Sequence, residues 1–174
     1  MKKATQREIL ENMMKRPIPK KKVGIIRLEM IKEGRCLYGM ERFNDPEMAA
    51  DMIRPLVGRS GREMFLVMSL DVKLTPLALE IVTVGSVNAC FVDMKDVFRH
   101  SILNNAARLI CFHNHPSGDP TPSSEDEDLI EKVGKCGELL GVELVDHIII
   151  GEDKKYFSFR NAGLLREHVG GDAA

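Results

Sequence analysis

The sequence has no tryptophan, only two tyrosines and no C-x-x-C pair. Its four cysteines, Cys36, Cys90, Cys111 and Cys136, are far apart, which argues against a zinc ribbon or a thioredoxin-type redox motif. Dispersed thiols suit a reducing compartment and are expected to be structural, as small buried hydrophobes. No apolar run approaches the ~18 residues that cross a membrane. The charged start "MKKATQREILENMMKRPIPKKK" has neither an apolar h-region nor a cleavage pattern. A membrane partner and a secretory leader are therefore not expected, and the chain reads as cytoplasmic. Net charge is small as well: at −1, the whole molecule is not built to sit on a polyanion.

What is present suits a globular protein: 44% hydrophobic and 29% charged over 174 residues, enough for one domain with a proper core. Charge is uneven. Residues 1–22 carry eight Lys/Arg against Glu8 and Glu11, a balance of +6 that leaves −7 for the rest. This basic N-terminal arm is expected to be a flexible, solvated tail, with weak binding of nucleic acid or an acidic partner as the alternative. Ile9, Leu10, Met13 and Met14 allow a short amphipathic helix before Pro17 and Pro19 stop it.

From Val23 the texture changes, and residues 23–166 read as one α/β domain with a mixed sheet packed by helices, followed by a disordered tail at 167–174. "VGIIRLEMI", "EMFLVMSLD", "LALEIVTVG", "RLICFHNH", "VELVDHIIIG" and "YFSFR" read as strands. "NDPEMAADMIRPLVG" reads as a helix with Pro46 in its first turn. Asp93 is placed to cap a second helix, with Val97, Ile102 and Leu103 inward and His100 on the surface. "SSEDEDLIEKVGKCGELLG" reads as a third, with Leu129, Ile130, Val133 and Leu140 on one side and Gly141 beyond its end. "NAGLLREH" is expected to form a turn of helix.

The stretch "HNHPSGDPTPSSED" joins these elements. Residues i and i+2 of a strand share a face, so His113 and His115 project side by side, as neighbouring ligands of one metal ion would. A stiff Pro/Gly turn follows, then Ser123 or Ser124 starts a helix whose first turn holds Asp126. Two histidines, an aspartate and a water would make the open, three-ligand zinc geometry of catalytic sites. Simpler readings stand beside it. Ser123-x-x-Asp126 could be a capping pair, Ser124-x-x-Glu127 fits the capping box better, and a strand-end histidine pair could be surface decoration. Cys111, deeper on the same strand face, is expected in the core. Asn114 is expected to be a structural hydrogen bonder. Ser117 and Asp119 could touch substrate, orient a ligand or only shape the turn. Asp146-His147 reads as a buried polar pair, with a supporting role behind the metal ligands as the alternative.

H-x-H-x7-S-x2-D, filled by His113, His115, Ser123 and Asp126, resembles the JAMM signature of the JAB/MPN+ metalloprotease superfamily. With "GREMFLVMSLD" upstream and "VELVDHIIIG" downstream, residues 23–166 resemble its RadC branch. The resemblance implies a cytidine-deaminase-like α/β fold, zinc on His113, His115 and Asp126, Glu63 as general base and Ser123 as donor to the oxyanion. It implies a metal-activated water attacking the carbonyl of a protein or peptide substrate. DNA repair on or near nucleic acid, and a non-catalytic interaction module, are the alternatives. Members commonly begin with a helix-hairpin-helix region where this chain has its short arm, so little duplex binding is expected. "DMKD", Asp93 to Asp96, replaces a common His-Pro-Arg-Glu. The adjacency of H, N and H is unlike HNH nucleases, whose residues are dispersed.

Overall fold

In a computed structural model of the chain, residues 42–57, 60–85 and 92–165 are described, together with Arg7, Glu8, Glu11, Asn12 and Lys15. The chain divides into two units, Met1–Arg35 and Cys36–Ala174. In the first, Arg7, Glu8, Glu11 and Asn12 are helical, and Arg7 pairs with Glu11 one turn on at 3.4 Å. The strand expected at 23–31, Cys36, Cys90 and the tail at 167–174 lie outside the described residues. No helix among the described residues is long and apolar enough to cross a membrane.

The second unit starts its first helix, α1 (Pro46–Val57), as its residues suggest. Asp45 Oδ1 accepts from Glu47 N at 2.9 Å, and Pro46 lacks only a donor that a first turn leaves unused. Strands β1 (Met64–Leu70), β2 (Pro76–Val84), β3 (Arg108–Asn114), β4 (Glu143–Ile150) and β5 (Tyr156–Ser158) form one sheet in the order β2-β1-β3-β4-β5. All neighbours are antiparallel except β3 and β4, which are parallel. A parallel pair needs a crossover, here through the helix α3 (Ser124–Leu140). Helix α2 (Met94–Leu103) precedes β3.

Strand parity sorts the core into two layers. Leu66, Met68, Leu70, Ile110 and Phe112 pack with Ala49, Ala50, Ile53 and Val57 of α1. Phe65, Val67, Leu109 and Cys111 pack with Val97 and Phe98 of α2 and Ile130 and Val133 of α3. Strands β1 and β3 are therefore buried on both faces, which is why both read as nearly continuous apolar runs. Fully burying each such side chain contributes about 1.5–3 kcal/mol. His113 has the parity of Leu109 and Cys111, so it opens towards α3.

Several inward assignments are corrected. Asp93 caps α2, accepting from Lys95 N at 2.9 Å, and Val97 is buried. Ile102 and Leu103, however, are 52% and 36% exposed, because five residues of helix turn Ile102 about 140° from Val97. In α3 Leu140 is exposed. The chain reverses at Gly141 (φ 68°), and Val142 fills the buried place beside Gly137, where a Cβ would meet Val142 O at 2.4 Å. Of the segment after β5, the described residues 159–165 form turns rather than helix, closed by Leu164 N donating to Phe159 O at 2.9 Å, and 166–168 lie outside the described residues.

His100 is buried rather than on the surface, and neither ring nitrogen makes a hydrogen bond among the described residues. Burial pushes its pKa down to about 4. Glu80 Oε2 stands 3.0 Å from Nδ1 but out of hydrogen-bond alignment, and burial raises the Glu80 carboxyl itself. A histidine depressed from about 6.5 supports the fold fully above that pH and loses the support as pH falls towards 4. His100→Leu should therefore stabilise the protein by about 1 kcal/mol at neutral pH, by removing unpaired polar atoms, and by more at pH 5. Urea titrations of both proteins at pH 7.5 and 5 check this; a gain that shrinks on acidification would contradict it.

Candidate metal centre

Three elements meet at the end of β3. His113 is 1% exposed on the last turn of strand, and His115 follows as the chain leaves the sheet, held by His115 N donating to Ile150 O at 3.1 Å. The Pro/Gly turn then folds against the β4–β5 hairpin. Glu152 N donates to Gly118 O at 2.9 Å, and a Cβ on Gly151 would lie 2.6 Å from that same oxygen. Only a glycine at 151 lets the two backbones approach so closely.

Ser123, not Ser124, caps helix α3. Ser123 Oγ accepts from Asp126 N at 3.2 Å, while Ser123 N and Oγ donate to Asp126 Oδ2 at 2.7 and 2.6 Å. This is a capping box closed by aspartate. The Ser124–Glu127 alternative would fit a longer acid better, but it leaves Asp126 unheld; here the box fixes that carboxylate, 7% exposed, towards the strand.

The histidines and the aspartate converge. His113 Nε2 lies 3.1 Å from Asp126 Oδ1, His115 Nε2 lies 3.4 Å from Asp126 Oδ2, and the two Nε2 atoms are 2.9 Å apart. One ligand atom from each residue falls within 4.8 Å of the others. A tetrahedral zinc with bonds of ~2.0–2.1 Å separates its ligand atoms by about 3.3 Å, so the donor set and its spacing fit that ion. Each ring is also held from behind: His113 Nδ1 meets His147 Nε2 at 2.8 Å, and His115 Nδ1 donates to Asp119 O at 2.7 Å. Both Nε2 atoms are thereby aimed at one point.

Electrostatics agree with the geometry. Burial works to raise the Asp126 carboxyl, but hydrogen bonds from His113 and His115, the His113 charge and Ser123 outweigh it and hold it well below the usual carboxylate range. The N-terminus of α3 favours the same charge. The bond to Asp126 raises His115, against partial burial. Glu63, immediately before β1, brings Oε1 to 4.0 Å from His113 Nε2, beside the three converging residues and not among them.

The remaining candidates fall into place. Cys111 is fully buried, and burial pushes its thiol well above the ordinary range, so it serves as core. Asn114 is the expected structural bonder: Oδ1 accepts from Met64 N at 2.9 Å and Nδ2 donates to Arg62 O at 3.2 Å. Asp119 orients His115 through its carbonyl, while its side chain accepts from Thr121. Asp146 and His147 do not pair through their side chains. Asp146 accepts from Ser158 Oγ, Arg160 N and His147 N, whereas the His147 ring turns to His113. A polar dipeptide inside an apolar strand buried on both faces was the signal for such a partner.

Comparison with known proteins places this arrangement. The pattern of the RadC-like JAB domain matches residues 43–164. A UPF0758 protein of Desulfitobacterium hafniense is 40% identical over 122 residues, 70% of this chain and 53% of that protein. One from Geobacillus thermodenitrificans is 37% identical over 153 residues, 84% of this chain and 66% of its own length. One from Methanosarcina barkeri is 40% identical over 121 residues, 70% of this chain and 52% of the relative. The chain thus spans about half the length of most of these curated relatives. The matched stretch contains His113, His115, the α3 cap and Glu63, and over it the chain belongs to the RadC-like JAB domain family.

Proposed function

We propose that this domain is a zinc-dependent hydrolase of peptide or isopeptide bonds. The observation that supports it most is the convergence of His113, His115 and Asp126, with the Glu63 carboxylate standing at its edge. Zinc bound there would supply Lewis-acid polarisation and a water acidified from ~15.7 towards ~7.

The chain's own residues divide the remaining work. Two imidazoles and one carboxylate carry a single negative charge, so the loaded site keeps a positive field for a developing oxyanion. Glu63, 21% exposed at its side chain and outside the ligand set, accepts a proton from the attacking water and returns it to the leaving amine. Ser123 Oγ gives its proton to Asp126 Oδ2 in the resting arrangement. Rotation about one bond frees that proton for the oxyanion, and Asp126 Oδ2 keeps its bond from Ser123 N. Phe65 and Phe159, both 1% exposed, wall the site behind His113 and His147 and keep water from its rear.

The test is a peptide-library digest with zinc-loaded and chelator-stripped protein. Cleavage that disappears with the metal and returns on adding zinc is the expected outcome. A library left intact by protein carrying stoichiometric zinc would defeat the proposed activity.

A further inference from the structure

The His113–His147 contact has a direction that the chemistry of the site determines. A bond between two neutral imidazoles needs one N–H and one free lone pair. His113 Nε2 is the atom that meets His115 Nε2 and Asp126 Oδ1, at 2.9 and 3.1 Å, so its lone pair must stay free for a metal. With a metal on Nε2 the proton of His113 belongs on Nδ1, and among the described residues the group it meets there is His147 Nε2 at 2.8 Å. The rings are 24° from coplanar with centroids 4.8 Å apart, an end-to-end arrangement that suits an in-plane N–H···N bond.

We infer that His147 is the positioning residue of the metal centre: its Nε2 accepts the Nδ1 proton of His113 and fixes the tautomer whose Nε2 lone pair faces His115 and Asp126. This rests on the zinc reading above and deepens it. His147 is itself immobile. It is fully buried, it packs against Phe65 and edge-on to Phe159 with ring centroids 5.9 and 5.0 Å away, and its backbone is locked by Asp146 Oδ1 accepting from His147 N at 2.7 Å. Parallel pairing of β3 and β4 sets Cys111 opposite His147, which carries the ring to the rear of His113. A histidine side chain free in water favours the proton on Nε2, the arrangement that would block the metal-facing atom, and Asp126 Oδ1 and His115 Nε2 facing that atom favour it too. An acceptor at Nδ1 offsets that preference when a metal takes the Nε2 lone pair.

Partners that orient a ligating histidine typically contribute 10–100-fold to metal affinity. His147→Leu should therefore weaken zinc binding by about that factor in a chelator competition, whereas His147→Gln, whose Oε1 can accept in place of Nε2, should stay within severalfold of the unaltered chain. The second readout is the hydrogen bond itself: 15N NMR of histidine-labelled, zinc-loaded protein should find the His113 proton on Nδ1 and no proton on His147 Nε2, with coupling between the two nitrogens. A His147 Nε2 that carries its own proton in the zinc-loaded chain overturns the inference even if the leucine variant does not fold. So does a leucine variant that keeps full zinc affinity. If the unaltered chain binds no zinc, the metal reading fails and the inference that rests on it fails with it.

Discussion

Asp126→Ala should leave the purified protein without zinc, where the unaltered chain carries about one ion per molecule. Asp126 is the sole anion among the three converging residues, and its two oxygens each face one histidine. Removing it leaves two neutral imidazoles, too few to hold zinc against a chelator. The same change opens the capping box of α3, so a loss of about 1 kcal/mol in stability should accompany the loss of metal. Asp126→Asn separates the two effects, since its oxygen can still accept from Ser123 N while the charge is gone. His113→Ala should also lose the metal, and its buried site adds a second cost by stranding His147 Nε2. Elemental analysis of each folded variant is the measurement, with folding checked by circular dichroism. In the unaltered protein zinc should be released on acidification, as protons compete for imidazole and carboxylate. Stoichiometric zinc in both Asp126→Ala and His113→Ala would show that these residues are not the ligands.

The parts of this site that were legible in the sequence are those encoded by neighbours. Two histidines two apart in a strand share a face by parity alone, prolines stiffen the turn whatever surrounds it, and Ser/Asp at a helix start has local chemistry. What could not be read depends on residues far apart in the chain. His147 lies 34 residues from His113, and only the parallel register of β3 with β4, shifted by an irregularity at Leu109/Ile110, decides which β4 side chain stands behind it. The choice between Ser123 and Ser124 was open because either forms a box; the strand end selects the one that turns Asp126 inward. The carbonyl of Asp119 orients His115 without any side-chain signature. His100, Ile102 and Leu103 were misplaced for one reason: a ten-residue helix is too short for its pattern to fix which side meets the sheet. The fold class survived these errors because β1 and β3, buried on both faces, announce a two-layered core by composition.

Glu63→Gln should preserve the fold and the zinc while lowering hydrolysis by roughly 10²–10⁴-fold, the usual worth of a positioned general base. Glutamine keeps the shape of the side chain, and the backbone at this position is fixed independently by Gly85 N donating to Glu63 O at 2.8 Å. Zinc should remain because Glu63 reaches no closer than 4.0 Å to His113 Nε2 and lies outside the converging set. What the amide lacks is a lone pair basic enough to take a proton from water. The loss should therefore fall on kcat with KM little changed, since no contact that only binds substrate has been removed. The comparison uses whichever library peptide the zinc-loaded chain cleaves, with metal content measured on the same samples. A glutamine variant within severalfold of the unaltered rate would remove Glu63 from the chemistry. One that lost its zinc would instead place Glu63 among the ligands and leave the proton transfer to another group.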